Sequence, residues 1–411
     1  MRVLLLGVEQ AGFVCQLVSG LKNSEPSLEV YTLPLRGFSS KVDHAIDRVF
    51  DRIIWKRLTF GSLKYWICHL PRLAQGVLQS GILTLLGVNE GRASLSATLK
   101  GYVTLGLIAH VDFSRLDVVS IHYCSLQNLI LAWLLPKTRI VLSFWGSDLF
   151  RTSGPALAFW GPKALARAAR IQVCTPEMGD VILSKYGREF HPKLRYALFL
   201  PDAALIDSID RLRSDQAAQE ALRRQLGVEP GKILVTVGHN GMEDNNHLRI
   251  LESIEQGMAD TSQLVFVLPL TYMLTEGYLE RLVDFKRRSR LRLILLTEYL
   301  KADELALFRL VSQIMIMMPT SDAMSAAFTE TLYGGNIGIA AAWLPYGKLR
   351  REEVFCLTLE AFQELAPALQ RILADPESFT ALTKHNPQHL RNCYYHKPTL
   401  CQSWLRILSE P

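Results

Sequence analysis

The sequence predicts an α/β chain built from two doubly wound domains, and three observations carry that reading. Short β-branched or apolar runs alternate with longer amphipathic segments, the pattern of βαβ units around parallel sheets. Most of these runs are apolar throughout rather than alternating, as strands covered by helices on both faces must be. They fall into two sets separated by a polar stretch punctuated by Gly and Pro, and 411 residues leave room for two or three domains of roughly 150 residues each.

In the first set, strands are expected at residues 3–8, 29–33, 117–121, 139–144, 171–175 and 195–200. Residues 41–110 contain no clear strand and read as a helical insertion rich in Arg, Lys, Trp and Tyr. After residue 203, the segment Asp207-Ser-Ile-Asp210 precedes a polar helix over 217–226, and Gly227-Val-Glu-Pro-Gly231 follows it. A polar helix, then Gly, Pro and Gly, then a fresh apolar run marks a domain restart. In the second set, strands are expected at 233–238, 264–268, 291–295, 313–317 and 336–340. The reading is therefore an N-terminal domain over 1–203, a linker over 204–230 and a C-terminal domain over 231–385. The last stretch, 386–411, holds a short helix with Trp404, Leu405 and Leu408 on one face, expected to pack back onto the body.

Composition narrows the class. At 49% hydrophobic and 20% charged residues the chain is too apolar for disorder, and 26 Gly and 18 Pro exclude collagen-like and low-complexity readings. Seven cysteines, an odd number with no CxxC spacing, suit a reducing compartment with free thiols. The start, MRVLLLGVEQ, reads as a buried first strand rather than a signal peptide. No window reaches the 18 or so apolar residues of a spanning helix; the nearest, 73–88, is broken by Gln75, Gln79 and three glycines. The expectation is a cytoplasmic protein unless something holds it at a surface. Residues 1–200 carry 23 Lys and Arg against 13 Asp and Glu, a net +10, whereas 201–411 carry 22 against 26, a net −4. The basic first half points to an anionic partner, either membrane headgroups or a phosphate-bearing substrate. No motif supports nucleic acid, and a merely solvated basic face explains the same counts.

Ligands of open α/β sheets bind beyond the carboxyl ends of the strands, so the residues just after each strand are the candidates. Gly238-His239-Asn240-Gly241, followed by Asn245, Asn246 and His247, lies between a strand and a helical run. Small residues there let backbone amides approach a ligand, and the helix N-terminus favours a diphosphate. An ordinary polar loop with Asn246 as helix cap accounts for the same residues. The second segment, Pro319 to Gly335, has Ser321 or Asp322 as the expected N-cap, with Ser325 in the first turn and Gly334-Gly335 beyond the end. Asp322 and Glu330 stand a little over two turns apart, and a carboxylate facing a ribose or sugar can accept from two vicinal hydroxyls. A capped helix with one solvated Glu is the alternative. The third, Phe144-Trp-Gly-Ser-Asp148, ends a strand; Asp148 is either a site residue or the cap of the next helix. His122, at another strand end, is a candidate on the same ground, and Glu9 sits in the small loop after the first strand. DxD, HExxH, GxSxG and P-loop patterns are absent, and so is any Cys/His cluster, leaving divalent-metal, serine-hydrolase and P-loop chemistry without sequence support.

Together these segments resemble the GT-B class of nucleotide-sugar glycosyltransferases. Asp322-x7-Glu330 is similar to the Glu-x7-Glu motif of the large family 4, with Asp in place of the first Glu. A closer likeness is to the 4-acetamido-4,6-dideoxygalactose (Fuc4NAc) transferases of enterobacterial common antigen synthesis. It runs through Phe144-Trp-Gly-Ser-Asp-Leu149, Val237 to His247, Val267-Leu-Pro-Leu-Thr271-Tyr272 and Leu296-Thr-Glu-Tyr-Leu300, within residues 117–345. The resemblance implies two Rossmann-like domains facing across a cleft, with the donor in the C-terminal one. It places Gly238, Asn240 and Gly241 near the donor diphosphate and Glu330 on the nucleotide ribose. Asp148 and His122 would face the cleft from the acceptor domain. Family 4 carries an Arg and a Lys on the diphosphate where this chain has Asn and His, so amides, a helix N-terminus and His239 or His247 are left to meet the charge.

The expected activity is transfer of a sugar from a nucleotide-diphosphate donor to a saccharide acceptor on a polyprenyl diphosphate, in bacterial surface polysaccharide synthesis, without a metal or other cofactor. An inverting reaction needs a base on the first domain, for which Asp148, Glu9 and His122 are candidates in that order. The aromatic and basic stretch at 55–66 is expected to rest on anionic headgroups at the inner face of the cytoplasmic membrane. The alternatives are a nucleotide-sugar epimerase of the same architecture and a non-catalytic glycan- or lipid-binding subunit of a polysaccharide assembly complex.

Overall fold

The structure is a computed structural model that describes residues 1–7, 12–33, 50–85 and 91–410. The chain divides into two compact units, Met1–Leu200 with Lys397–Pro411, and Pro201–His396.

The first unit is built on a seven-stranded parallel sheet in the order β3-β2-β1-β4-β5-β6-β7. The strands are β1 (Arg2–Leu6), β2 (Glu29–Leu33), β3 (Arg52–Ile53), β4 (Val118–His122), β5 (Ile140–Ser143), β6 (Arg170–Val173) and β7 (Leu194–Tyr196). Every residue of β4 and β5 is buried, which is why these strands read as largely apolar runs, with Ser120, His122 and Ser143 as their polar members. The second unit repeats the pattern with six parallel strands in the order β10-β9-β8-β11-β12-β13. These are β8 (Ile233–Val237), β9 (Leu264–Pro269), β10 (Leu293–Leu296), β11 (Ile314–Met317), β12 (Ile337–Ala341) and β13 (Leu357–Leu359). In each sheet the strand order reverses once, between β1 and β4 and between β8 and β11. Ligands of doubly wound sheets bind at such switch points.

Several expectations need correction. The region 41–110 is not wholly helical: β3 adds a two-residue edge to β2, pairing Tyr31 with Arg52 and Thr32 with Ile53. Two long helices do follow it, Phe60–Leu85 and Gly91–Leu107. Within residues 204–230, read as a linker, the polar helix expected over 217–226 is found as Gln216–Gln225, and a second helix, Ala203–Leu212, precedes it; each is begun by an aspartate that accepts first-turn N–H groups (Asp202 from Ala204, 3.1 Å; Asp215 from Ala218, 2.9 Å). Leu222 and Val228 join Leu234, Val265 and Phe308 in one apolar cluster, so the segment belongs to the core of the second unit.

The C-terminal helix Lys397–Ser409 belongs to the first unit. Its buried face is Leu400, Cys401, Trp404, Ile407 and Leu408, with Ile407 taking the place expected of Leu405. That spacing is one helical stripe. The Trp404 indole N–H donates to the Leu198 carbonyl (2.7 Å), and its ring stacks on His122 at a centroid distance of 5.9 Å.

Candidate functional site

In the second unit the loops after β8, β9 and β11 meet at the switch point. Gly238 leaves β8 with φ +69°, a left-handed conformation that suits glycine, while its N–H stays on the sheet by donating to Ile316 of β11 (3.0 Å). Asn240 then organises the turn: its Oδ1 accepts from the Met242 N–H (2.9 Å) and from the Asn245 side chain (2.8 Å). Asn245 Oδ1 accepts in turn from the His239 N–H (3.3 Å). Asn246 holds the N-cap position of the helix His247–Gly257, its carbonyl accepting from the Ile250 N–H (2.9 Å), but its side chain makes no capping bond. It is itself left-handed, φ 58°, and its amide donates to the Met318 carbonyl beyond β11 (2.8 Å).

The β9 loop closes on the same place. Gly241 N–H donates to the Tyr272 carbonyl (2.9 Å), and a Cβ on Gly241 would stand 2.6 Å from Leu274 Cβ. Thr271 is half-buried beside it. The Tyr272 hydroxyl is raised above its ordinary pKa by burial, opposed by a hydrogen bond from the Asn240 side chain. The Arg309 charge lowers the same hydroxyl and the Glu330 and Asp322 charges raise it, while Tyr272 as a whole is 46% exposed.

The motif acids are held in different ways. The helix carrying Glu330 is Ala326–Tyr333, begun by Ser325, whose hydroxyl accepts from the Phe328 N–H (3.3 Å). Ser321 and Asp322 therefore precede the helix, and Ser325 takes the cap expected of them. Asp322 Oδ2 accepts from the Tyr346 hydroxyl (2.6 Å). Burial, then the Asp322 charge, pushes that hydroxyl well above its ordinary pKa and keeps it a donor. Glu330 Oε2 accepts from Arg309 Nε at 2.9 Å, with the two side chains only 11% and 10% exposed. Sequence reasoning did not find Arg309 or Tyr346. An arginine inside the run Leu307-Phe308-Arg309-Leu310-Val311 was the available signal, since a guanidinium there needs a buried partner.

The first-unit candidates behave differently. Glu9 lies outside the described residues. Asp148 is fully buried, with Oδ2 accepting from the Cys124 N–H (2.6 Å) and Oδ1 from the Trp145 and Gly146 N–H groups (2.9 Å each). Its carboxylate fastens the turn after β4 to the turn after β5 and offers no exposed lone pair to an acceptor. His122 is likewise fully buried, 3.2 Å from the Ser120 hydroxyl and stacked under Trp404. Both side chains thus lie in the interior of the first unit in this structure.

Two buried histidines have an acid signature. Burial lowers His122 to about 3, and burial, followed by the nearby His239 charge, lowers His247 to about 3. In the unfolded chain each titrates near 6.5, so each favours the fold above that pH and loses about 1.4 kcal/mol per pH unit below it. Asp148 opposes this, since burial raises it to about 6 and the folded state takes up its proton first. Chemical denaturation at pH 7 and pH 5 should show a weaker fold at pH 5, and His122→Phe should flatten that difference by about one proton. An unchanged slope in the variant would contradict the assignment.

No protein-family model matches the chain, and no curated protein matches it in sequence. Solved structures do resemble it. HepE of Anabaena, crystallised with UDP and glucose, superposes with a TM-score of 0.69 at 13% identity over 100% of both chains. A glycosyltransferase of Rickettsia africae gives 0.70 at 9% identity over 100% of this chain and 98% of that one. An α,α-trehalose 6-phosphate synthase of Burkholderia multivorans gives 0.67 at 13% identity over 99% and 98%. With two parallel sheets of like order, these likenesses show that the chain has the GT-B fold.

Proposed function

We propose that the protein is a glycosyltransferase that takes a sugar from a nucleotide-diphosphate donor bound by its second unit. The observation that carries this reading is the meeting of the loops after β8, β9 and β11, where Gly241 N–H donates to Tyr272, Thr320 N–H to Asp244 and the Asn246 amide to Met318, on the segment that also carries Asp322 and leads into the helix of Glu330. The GT-B neighbours, one of them crystallised with UDP-glucose, support a nucleotide sugar as the donor.

In this reading the loop 238–241 and the N-terminus of His247–Gly257 receive the diphosphate, whose charge grows as the glycosidic bond breaks. Oriented amides and the helix dipole stabilise that charge without reorganising. Glu330, aligned by Arg309, accepts from the ribose hydroxyls, and Asp322, aligned by Tyr346, accepts from sugar hydroxyls. Both carboxylates reach the ligand already fixed by a donor, which lowers the ordering cost of binding. The acceptor is a saccharide on a polyprenyl diphosphate, in line with the likeness of four segments to Fuc4NAc transferases and with the net +10 of residues 1–200. The chain then works as a peripheral protein on the inner leaflet; among the described residues no helix is long and apolar enough to cross a membrane.

A thermal-shift panel of UDP, dTDP, GDP and CMP tests the donor site. The true nucleotide at about 100 times its dissociation constant should stabilise the protein by about 2.7 kcal/mol. Gly241→Ala, which drives a Cβ into Leu274, should lose most of that response while the apo protein stays folded. Failure of all four nucleotides would overturn the reading, and turnover of a nucleotide sugar with no acceptor present would favour an epimerase.

A further inference from the structure

The helices Phe60–Leu85 and Gly91–Leu107 form an antiparallel hairpin whose polarity is reversed. Ser80 Oγ meets Ser94 Oγ at 2.9 Å, Gly76 lies against Thr98, and the Trp66 indole N–H donates to the Tyr102 carbonyl (3.2 Å). Ser62, Gly76 and Ser80 are buried on the first helix, and Ser94, Ala97, Thr98, Gly101, Thr104 and Gly106 on the second, with Leu105 the one large apolar residue among them. The outer face carries Phe60, Leu63, Ile67, Leu70, Leu78 and Ile82, with Phe60 104% and Leu78 66% exposed. A helix that packs on a protein core turns its apolar stripe inward, whereas helix pairs in lipid pack through small and hydroxyl residues. Of the seventeen exposed large hydrophobic residues among those described, eleven fall between Trp55 and Val103, so this is one continuous surface rather than scattered exposure.

Charge selects what covers it. Residues 52–89 contain five Lys or Arg and no Asp or Glu. The exposed Arg57, Lys64 and Lys100 lie around the stripe, while Arg72 is turned inward onto the carbonyls of Leu134 (2.9 Å) and Leu135 (3.1 Å). A second copy of the chain would bring like charges together, whereas an anionic leaflet neutralises them and also accepts the apolar side chains.

We infer that the outer face of the 60–107 hairpin is a bilayer-docking surface, lying in the plane of an anionic leaflet with Phe60, Ile67 and Leu78 below the headgroups. From Phe60 to Ile82 the stripe runs about 33 Å along the helix at 1.5 Å per residue. This deepens the peripheral-membrane part of the reading above and revises where contact falls. Within 55–66, Trp55 is exposed, but the Trp66 ring is turned against Gly106.

The test is flotation of the full chain with vesicles of phosphatidylcholine alone or with about one-third phosphatidylglycerol, for wild type and for Ile67→Glu/Leu78→Glu. Both substituted positions are exposed, so the variant should keep the wild-type melting temperature and nucleotide response, which separates docking from donor binding. The expected result is capture of wild type by anionic vesicles, weakened by salt, and at least about tenfold weaker capture of the variant. Equal capture of wild type and variant would overturn this surface while leaving attachment through another face. Failure of wild type to bind would overturn both this surface and the peripheral reading. Self-association of wild type without vesicle binding, abolished in the variant, would assign the face to a second copy and overturn the proposal.

Discussion

Glu330→Ala should destabilise the second unit by about 3–5 kcal/mol, a loss visible in denaturant unfolding without any ligand. The size follows from what the substitution leaves behind. Arg309 and Glu330 are each about nine-tenths buried, and Arg309 Nε donates to Glu330 Oε2 at 2.9 Å. Removing the carboxylate leaves a guanidinium among Phe308, Leu310 and the Ala326–Tyr333 helix with no counter-charge. Replacing both members by apolar residues of similar volume removes the desolvation cost together with the attraction, so Arg309→Met/Glu330→Leu should recover most or all of the lost stability. The double variant then isolates function. If Glu330 holds the ribose, this stable protein should bind its nucleotide at least about tenfold more weakly, the loss of a hydrogen bond to a charged group. A double variant with the wild-type nucleotide response would remove Glu330 from the donor site, while a fully stable Glu330→Ala would contradict the buried pair itself.

That pair also marks where sequence reasoning stops. The inner strands are legible because burial on both faces leaves an apolar run, as in Val3, Leu4, Leu5 and Leu6 of β1 or the whole of β9. The edges β3 and β13 are not, since two or three partly exposed residues carry no pattern. The loop after β8 is legible from its glycines and asparagines, but the partners of those asparagines are not. Asn246 reads as a cap and holds that position, yet its side chain reaches Met318, 72 residues away. In the β11 segment several small polar residues compete to start the helix, and only packing decides for Ser325. Asp322 therefore sits before the helix, and counting turns from it misplaces its face. Arg309 and Glu330 stand 21 residues apart on separate helices, a separation that no helical or strand period links. The reversed polarity of the 60–107 hairpin is hidden for a related reason. Apolar spacing locates a helical face but does not say whether protein covers it.

Asp148→Asn is expected to lower stability at pH 7 by about 1–2 kcal/mol and to leave the rate per folded molecule within a few-fold of wild type. The native carboxylate accepts three backbone N–H groups, from Cys124, Trp145 and Gly146. An asparagine keeps one acceptor oxygen and turns an NH2 donor toward N–H donors on the other side. At least one buried N–H then loses its partner, at about 1–3 kcal/mol, and removal of a charge that burial disfavours offsets part of that cost. A general base predicts the opposite pattern: an isosteric amide would leave the melting temperature nearly unchanged and cut the rate by about a hundredfold or more. The pH dependence separates the two cases again. Burial holds Asp148 near 6, so a catalytic role would put an acid limb in the rate near that pH, and the variant would lose it. If Asp148 only fastens the β4 and β5 turns, the limb is unaffected by Asp148→Asn when both proteins are assayed well below their unfolding temperatures. What changes instead is stability between about pH 4 and 6, where the native protein takes up the Asp148 proton and the variant has none to take. Denaturation curves across that range, set beside rate profiles of the same samples, decide between a base and a fastening.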